Sequence, residues 1–293
     1  MIKPVLSIVI AGSRLTGPKP EILDALKSSP ENVEYIIVTA NSLYDFILFK
    51  KAGFKILREP VGTSIPSLRA TGLRHAEGDI VVLTEDFCLP PEDWVKNIVN
   101  AHKQSDAIAI GGPVKRRDGT AADWALTFCE YARFLPFNHS GDCHELPAVN
   151  ISFNKAKLLE VYDSIPAEIE EFHMLPYLLK KGSRLEWNNA IYIFDVNDQP
   201  LYRSIASFFF HGRYYGGIRV KNSSFHTKLL RAALVPFIPI LQTFRIAKFA
   251  FQSGYAKQFV QSLFLIILLS SAWALGEGIG SILGEGNSKY HWI

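Results

Sequence analysis

Cysteine is scarce, with three residues in a chain of 293. Cys88, Cys129 and Cys143 lie far apart and form no CxxC pair, which argues against a zinc knuckle and against a disulfide framework; three reduced thiols in a cytosolic domain are expected. His139, Cys143 and His144 cluster in NHSGDCHE, but at irregular spacing and without an evident fourth ligand. The opening MIKPVLSIVIAGSR holds no secretory hydrophobic core, since its apolar run is short and broken at Ser7. Charge of one sign is also lacking: 31 basic and 28 acidic residues leave +3, too little to argue for nucleic acid as a partner. A glycine-rich phosphate cradle is absent too, with Gly12 standing alone after the first apolar run. There is no internal repeat and no low-complexity tract. Mean hydropathy, by contrast, is +0.11 with 48% hydrophobic residues, high for a soluble chain and pointing to a membrane-contacting part.

The first 90 residues alternate strand and helix signals. VLSIVIA at 5–11 is apolar on both faces, as a central parallel strand requires. Helical spacing follows at 20–28, then a strand at 34–39, a helix at 42–52, a short strand at 54–57, a helix at 64–76 and the strand DIVVLTED at 79–86. That order predicts a mixed, mainly parallel α/β sheet flanked by helices, with ligands beyond the carboxyl ends of the strands. Gly12–Arg14, Thr39–Asn41 and Thr84–Asp86 should then rim one crevice. Farther on, helices are expected at 92–104, about 121–135, 150–161 and 170–181, with strands at 106–110 and 190–195. Composition shifts near Tyr202, giving three expected regions: 1–202, an amphipathic segment 203–231, and a membrane-associated region 232–293.

The sharpest chemistry is in IVVLTEDFCLPPEDW. Glu85 and Asp86 stand where an apolar strand ends, and adjacent carboxylates there suit a hard cation, Mg²⁺ or Mn²⁺, shared with substrate phosphates. A solvated acidic turn would look the same in isolation. A second acidic pair, Glu170-Glu171, opens the helical stretch EEFHMLPYLLKKG, where carboxylates also complement a helix dipole.

In order, Arg69, the A-E-G-D of 76–79, the apolar strand 80–83, Thr84-Glu85-Asp86, the turn AVNISFNK and Glu170-Glu171 followed by Gly182 resemble the inverting glycosyltransferases of family 2, across about residues 5–215. The resemblance implies a GT-A fold, a nucleotide-sugar donor and a divalent metal. It places the metal on Asp86 and Glu85. The donor falls near Ala11, Ser13, Arg14, Asn41, Arg69, Glu85, Asn150 and Arg213, and the acceptor side near His173 and His211. Glu171 falls where the catalytic carboxylate stands, to take the acceptor hydroxyl's proton. The chain departs from the pattern at Thr84, where the first aspartate of D-x-D is expected, and at Thr39-Ala40-Asn41, where an aspartate usually meets the nucleoside. The absence of a QxxRW signature argues against repeated addition.

Two apolar runs close the chain. The run 232–244 carries Pro236 and Pro239 and is short for a crossing, so an interfacial or re-entrant segment is expected; the run at about 258–278 is expected to be transmembrane. Arg245, Lys248 and Lys257 between them favour the cytoplasmic side. Aromatic residues and arginines in 203–219 suit the headgroup level of a bilayer. The expected location is the cytoplasmic membrane with the catalytic domain facing the cytoplasm, and the expected acceptor a lipid-linked or cell-envelope glycan. Two other functions share these features: a nucleotidyltransferase on the same fold, and a catalytically degenerate membrane-bound scaffold.

Overall fold

In the computed structural model, the described residues are 3–12, 20–27, 32–41, 46–136, 139–221 and 223–291. They form two compact units: residues 1–115 with 138–196, and residues 116–137 with 197–293.

The first unit runs β1 (Leu6–Gly12), α1 (Pro20–Lys27), β2 (Val33–Thr39), α2 (Ile47–Lys51), β3 (Lys55–Arg58), α3 (Ile65–His75), β4 (Ile80–Glu85), β5 (Cys88–Leu89), α4 (Trp94–Gln104), β6 (Ala109–Gly111) and β7 (Val114–Lys115). The chain then gives α5 (Ala121–Tyr131) to the second unit and resumes with β8 (Gly141–Asp142), β9 (Ile151–Asn154), α6 (Lys155–Val161), α7 (Glu171–Lys180), β10 (Leu185–Trp187) and β11 (Ile193–Asp195). β1 is buried along its whole length because both of its edges are paired, with β2 and β4 lying parallel to it. The main sheet has the order β3-β2-β1-β4-β9-β6-β10-β8, and β5-β11-β7 forms a smaller one. Helix α3 starts where the Ser64 side chain accepts from the Ser67 amide and proline occupies the first turn, as its sequence requires.

The expected α/β architecture is present, with local differences. A helix was expected over 150–161, but Ile151–Asn154 is a strand, antiparallel to both β4 and β6. Its buried Ile151 and Phe153 fill the sheet between them, and the helix begins only at Lys155, where Asn154 caps it. Leu185–Trp187 also forms a strand not anticipated, beside β6.

The second unit departs from the expected division into 1–202, 203–231 and 232–293. It holds α5 together with α8 (Leu201–Arg219), α9 (Phe225–Ala233), α10 (Ile238–Gln252) and α11 (Ala256–Leu283). Trp124, Phe128 and Ala132 on and just after α5 share a core with Ile246, Phe259, Ile266 and Leu269, so residues 116–137 group with the C-terminal helices. Helices α8 and α11 approach closely through glycine: a β-carbon on Gly212 would lie 2.0 Å from the Trp273 carbonyl oxygen, and one on Gly280 2.0 Å from that of Arg213. Such small-residue seams let helix backbones meet where apolar solvent gives no driving force between helices. Among the described residues, α11 alone is long and apolar enough to cross a membrane by length and composition. It has 28 residues, a best-window mean hydropathy of 1.9, and 44% of that window buried within the structure.

Candidate active site

Parallel strands β1, β2 and β4 end side by side, with Gly12 level with Thr39 and Ala11 level with Glu85. This register brings the acidic tip of β4 next to the first two strand ends. A β-carbon position on Gly12 lies 3.5 Å from Asp86 Oδ2 and 3.6 Å from Thr39 Oγ1. The Thr39 hydroxyl accepts from the Asn41 amide at 3.0 Å, and the Asn41 carbonyl accepts from Arg58 at 2.8 Å, which fixes the turn after β2.

Arg69 is the element that organises the acidic groups. It projects from α3, is 7% exposed, and makes an ion pair with Glu85 at the end of β4. Its other guanidinium nitrogen lies 3.4 Å from Glu171 Oε2 in the first turn of α7. Residues distant in sequence are therefore joined through one cation. Segment 168–171 is held in place for this contact. Glu168 accepts from the Ser64 and Ser67 hydroxyls, each at 3.1 Å, and the Ile169 amide donates to the Pro66 carbonyl at 3.0 Å. Glu171 keeps a side chain 31% exposed, whereas Glu85 is 9% exposed. Glu85 is thus a buried partner of arginine, and Glu171 a carboxylate with one flank open to an incoming group.

Asp86 is fully buried beside Gly12 and Thr39. Its hard oxygen donors suit Mg²⁺ or Mn²⁺, which needs one or two protein carboxylates when phosphate oxygens supply the rest. The described residues contain no group of three His, Cys, Asp or Glu able to hold a metal on their own. This donor set therefore fits a cation carried in with a diphosphate. Glu85, the other expected metal ligand, is ion-paired with Arg69.

Other expected site residues fall elsewhere. Asn150 is 1% exposed and its amide is fully engaged: Oδ1 accepts from Trp94 Nε1 at 3.0 Å, and Nδ2 donates to the Ile191 carbonyl at 2.8 Å and the Gly112 carbonyl at 3.2 Å. It ties three segments together, which gives it a structural role. Gly112 belongs to the same knot, since a β-carbon there would lie 2.0 Å from the Ile191 oxygen. Ala11 is enclosed in β1 between Val38 and Glu85, a core position. Ser13 and Arg14 lie outside the described residues. His173 is 67% exposed at the start of α7, with Nε2 3.5 Å from Glu170 Oε2. His211 and Arg213 belong to the second unit, where Arg213 Nε donates to the Gly284 carbonyl at 3.5 Å.

Asp195 was not anticipated. It is 1% exposed at the end of β11, directly across from Cys88. Burial above all, and then the charges of Glu85 and Asp195, push the Cys88 thiol well above its ordinary range. The sequence signal was the same as for β4, an apolar strand (IYIF) ending on an acid.

The family model for glycosyl transferase family 2 matches residues 20–172, which span α1 to the first turn of α7 and contain Arg69, Asp86 and Glu171. No curated protein matches at the sequence level. Among solved structures, the chain is similar to S. aureus TarS 1-349 in complex with UDP-GlcNAc, at 15% identity and a TM-score of 0.51 over 94% of this chain and 81% of that one. S. aureus TarS 1-349 alone gives 13% identity and a TM-score of 0.49 over 94% and 88%.

Proposed function

The chain belongs to glycosyl transferase family 2, and we propose that it moves a sugar from a nucleoside-diphosphate donor to a lipid-linked or cell-envelope glycan acceptor, with inversion at the anomeric carbon. The observation that carries this reading is the Arg69 bridge. It sets Glu171 of α7 and the acidic end of β4 around the carboxyl ends of the parallel strands, where sheets of this class bind ligands. A likeness to a structure holding UDP-GlcNAc supports a nucleotide-sugar donor.

In the transfer, Glu171 takes the proton from the acceptor hydroxyl as that oxygen forms its bond to the anomeric carbon. The bond from that carbon to the diphosphate oxygen breaks on the opposite side, and the nucleoside diphosphate leaves with the electron pair. A divalent cation on Asp86 would offset the charge that collects on the leaving diphosphate. Arg69 works by placement: paired with Glu85, it draws the Glu171 carboxylate toward the strand ends and directs it. Gly12 and Asn41 stand at the rim of the same crevice and are assigned to the donor.

Helix α11 has the length and hydropathy of a membrane crossing. We place the enzyme at the cytoplasmic membrane with the first unit in the cytoplasm. The test is donor hydrolysis by the detergent-purified chain over a panel of nucleotide sugars, with and without Mn²⁺. Metal-dependent release of a nucleoside diphosphate from one donor is expected, and its loss in Asp86→Ala. Release of pyrophosphate would reassign the site to nucleotidyl transfer. Unchanged transfer in Glu171→Gln would remove that residue from the role of base.

A further inference from the structure

The second unit carries an apolar stripe that faces away from its own core. Ile240, Phe244 and Phe251 on α10, with Phe237 just before it, are 55, 71, 57 and 64% exposed. Their three-, four- and seven-residue spacings put them on one side of the helix. The opposite side is already used, because Ile246 and Ala250 are buried in the core with Trp124 and Phe128. A helix with both faces apolar has no reason to keep its second face in water. Along α11 the same outward pattern continues through Val260, Phe264 and Ile267.

Charge identifies what covers this face. From Gln199 to Gly276 the chain contains no aspartate or glutamate, and its charged residues are all lysine or arginine. Lys248 lies one turn from Phe244 and one turn from Phe251, exposed on the flank of the stripe; Arg245 and Lys257 are exposed beside it. Beyond that stretch, Glu277 and Glu285 are paired with Arg219 and Lys221. Exposed aromatic residues bordered by cations, with no acid among them, match an acyl boundary under anionic headgroups.

We propose that α10 lies in the plane of an anionic bilayer leaflet, with its phenylalanine stripe at the acyl boundary and Arg245, Lys248 and Lys257 on lipid phosphates. This rests on the membrane location proposed above and adds its lipid selectivity. The helix then holds the unit at one depth, independently of whether α11 crosses.

The full chain, purified in detergent and diluted into preformed vesicles, is floated with phosphatidylcholine alone or with phosphatidylglycerol at about 30 mol %, a content chosen to give a strongly negative surface potential. Three cations near such a surface should tighten partition onto the anionic vesicles by roughly 100-fold. High salt, or Arg245→Gln, Lys248→Gln and Lys257→Gln together, should bring it down to the neutral level. Phe244→Asp with Phe251→Asp should weaken flotation with both vesicle types. Equal, salt-independent partition onto both vesicles would overturn the anionic docking and leave the membrane location standing. A chain that floats with neither, yet stays soluble without detergent, would overturn both. A dimer in detergent that Phe244→Asp dissociates would assign the stripe to a second copy instead.

Discussion

Replacing Arg69 by glutamine removes the cation set between Glu85 and Glu171, and its cost is calculable from burial. Arg69 and Glu85 have side chains 9% exposed, so the carboxylate left behind is both charged and shielded from water. Breaking a buried pair from one side costs about 3–5 kcal/mol, because the survivor stays buried without its counter-charge. Glu171 contributes little to that figure, since its contact is longer and its side chain is 31% exposed. Melting should therefore fall by roughly 6–20 °C, taking about 2–4 °C per kcal/mol for a unit of this size. Glu85→Gln in the Arg69→Gln background should recover a large part of the loss, since no unpaired charge then remains. The assay is thermal unfolding of the wild type, both single variants and the double variant, in one detergent at one pH. Additive losses in the double variant, or a shift under 2 °C in Arg69→Gln, on the same scale less than about 1 kcal/mol, would refute the bridge as drawn. Activity provides a second check: Arg69→Gln should lower kcat, because Glu171 loses its anchor toward the strand ends.

Three further outcomes follow from other parts of the structure. His102 accepts or donates one bond to the Ser152 hydroxyl at 2.8 Å, and burial, with Lys157 nearby, lowers its pKa to about 4. Its folded value is depressed below the unfolded one near 6.5, so the unfolded chain binds more protons between them; stability is full above about pH 6.5 and falls as pH drops toward 4. Between pH 7.5 and 5 this group should cost about 2 kcal/mol, and His102→Gln should flatten that part of the melting profile against the wild type. Asn150→Ala leaves the Trp94 indole N–H and the Ile191 carbonyl without the amide, so melting should report a loss of about 1–3 kcal/mol with donor KM unchanged; a selective rise in KM would restore Asn150 to the donor site. Gly280→Val drives a side chain into the Arg213 carbonyl oxygen and should separate α8 from α11. Gel filtration in detergent should then show loss of the monodisperse species, and an unaltered profile would count against the glycine seam.

Local signals announced most of the first unit. Strands β1 and β4, and β2 from Ile36 on, are mostly apolar on both faces because they are buried on both. β9 was misread for a physical reason. Ile151 is followed at helical spacing by Leu158, and the four residues Ile-Ser-Phe-Asn are too short for their alternation to outweigh it. Its identity as a strand comes from β4 and β6, which pair with both of its edges and are far away in sequence. The assignment of α5 to the second unit was hidden in the same way. Its spacing marks an amphipathic helix, but which core accepts Trp124 and Phe128 is decided by residues more than a hundred positions later.

The candidate site shows where sequence reasoning stops and geometry begins. Arg69, Asp86 and Glu171 could each be named from motif order, yet nothing in that order says that one arginine joins both acidic segments. Once it does, the roles redistribute. A guanidinium bound by Glu85 and drawn to Glu171 positions two carboxylates, and Glu85 is held by it. Asn150 shows the complementary case: its residue type suits a sugar, while both polar atoms of its amide make bonds inside the fold. The groups the proposed chemistry uses are a fully buried aspartate beside a glycine and a partly exposed glutamate one arginine away. A pairing that depends on α3 and α7 meeting across the strand ends can be tested only where both are folded. For that reason the Arg69–Glu85 cycle, with turnover measured on the same four proteins, probes the fold and the proposed base together.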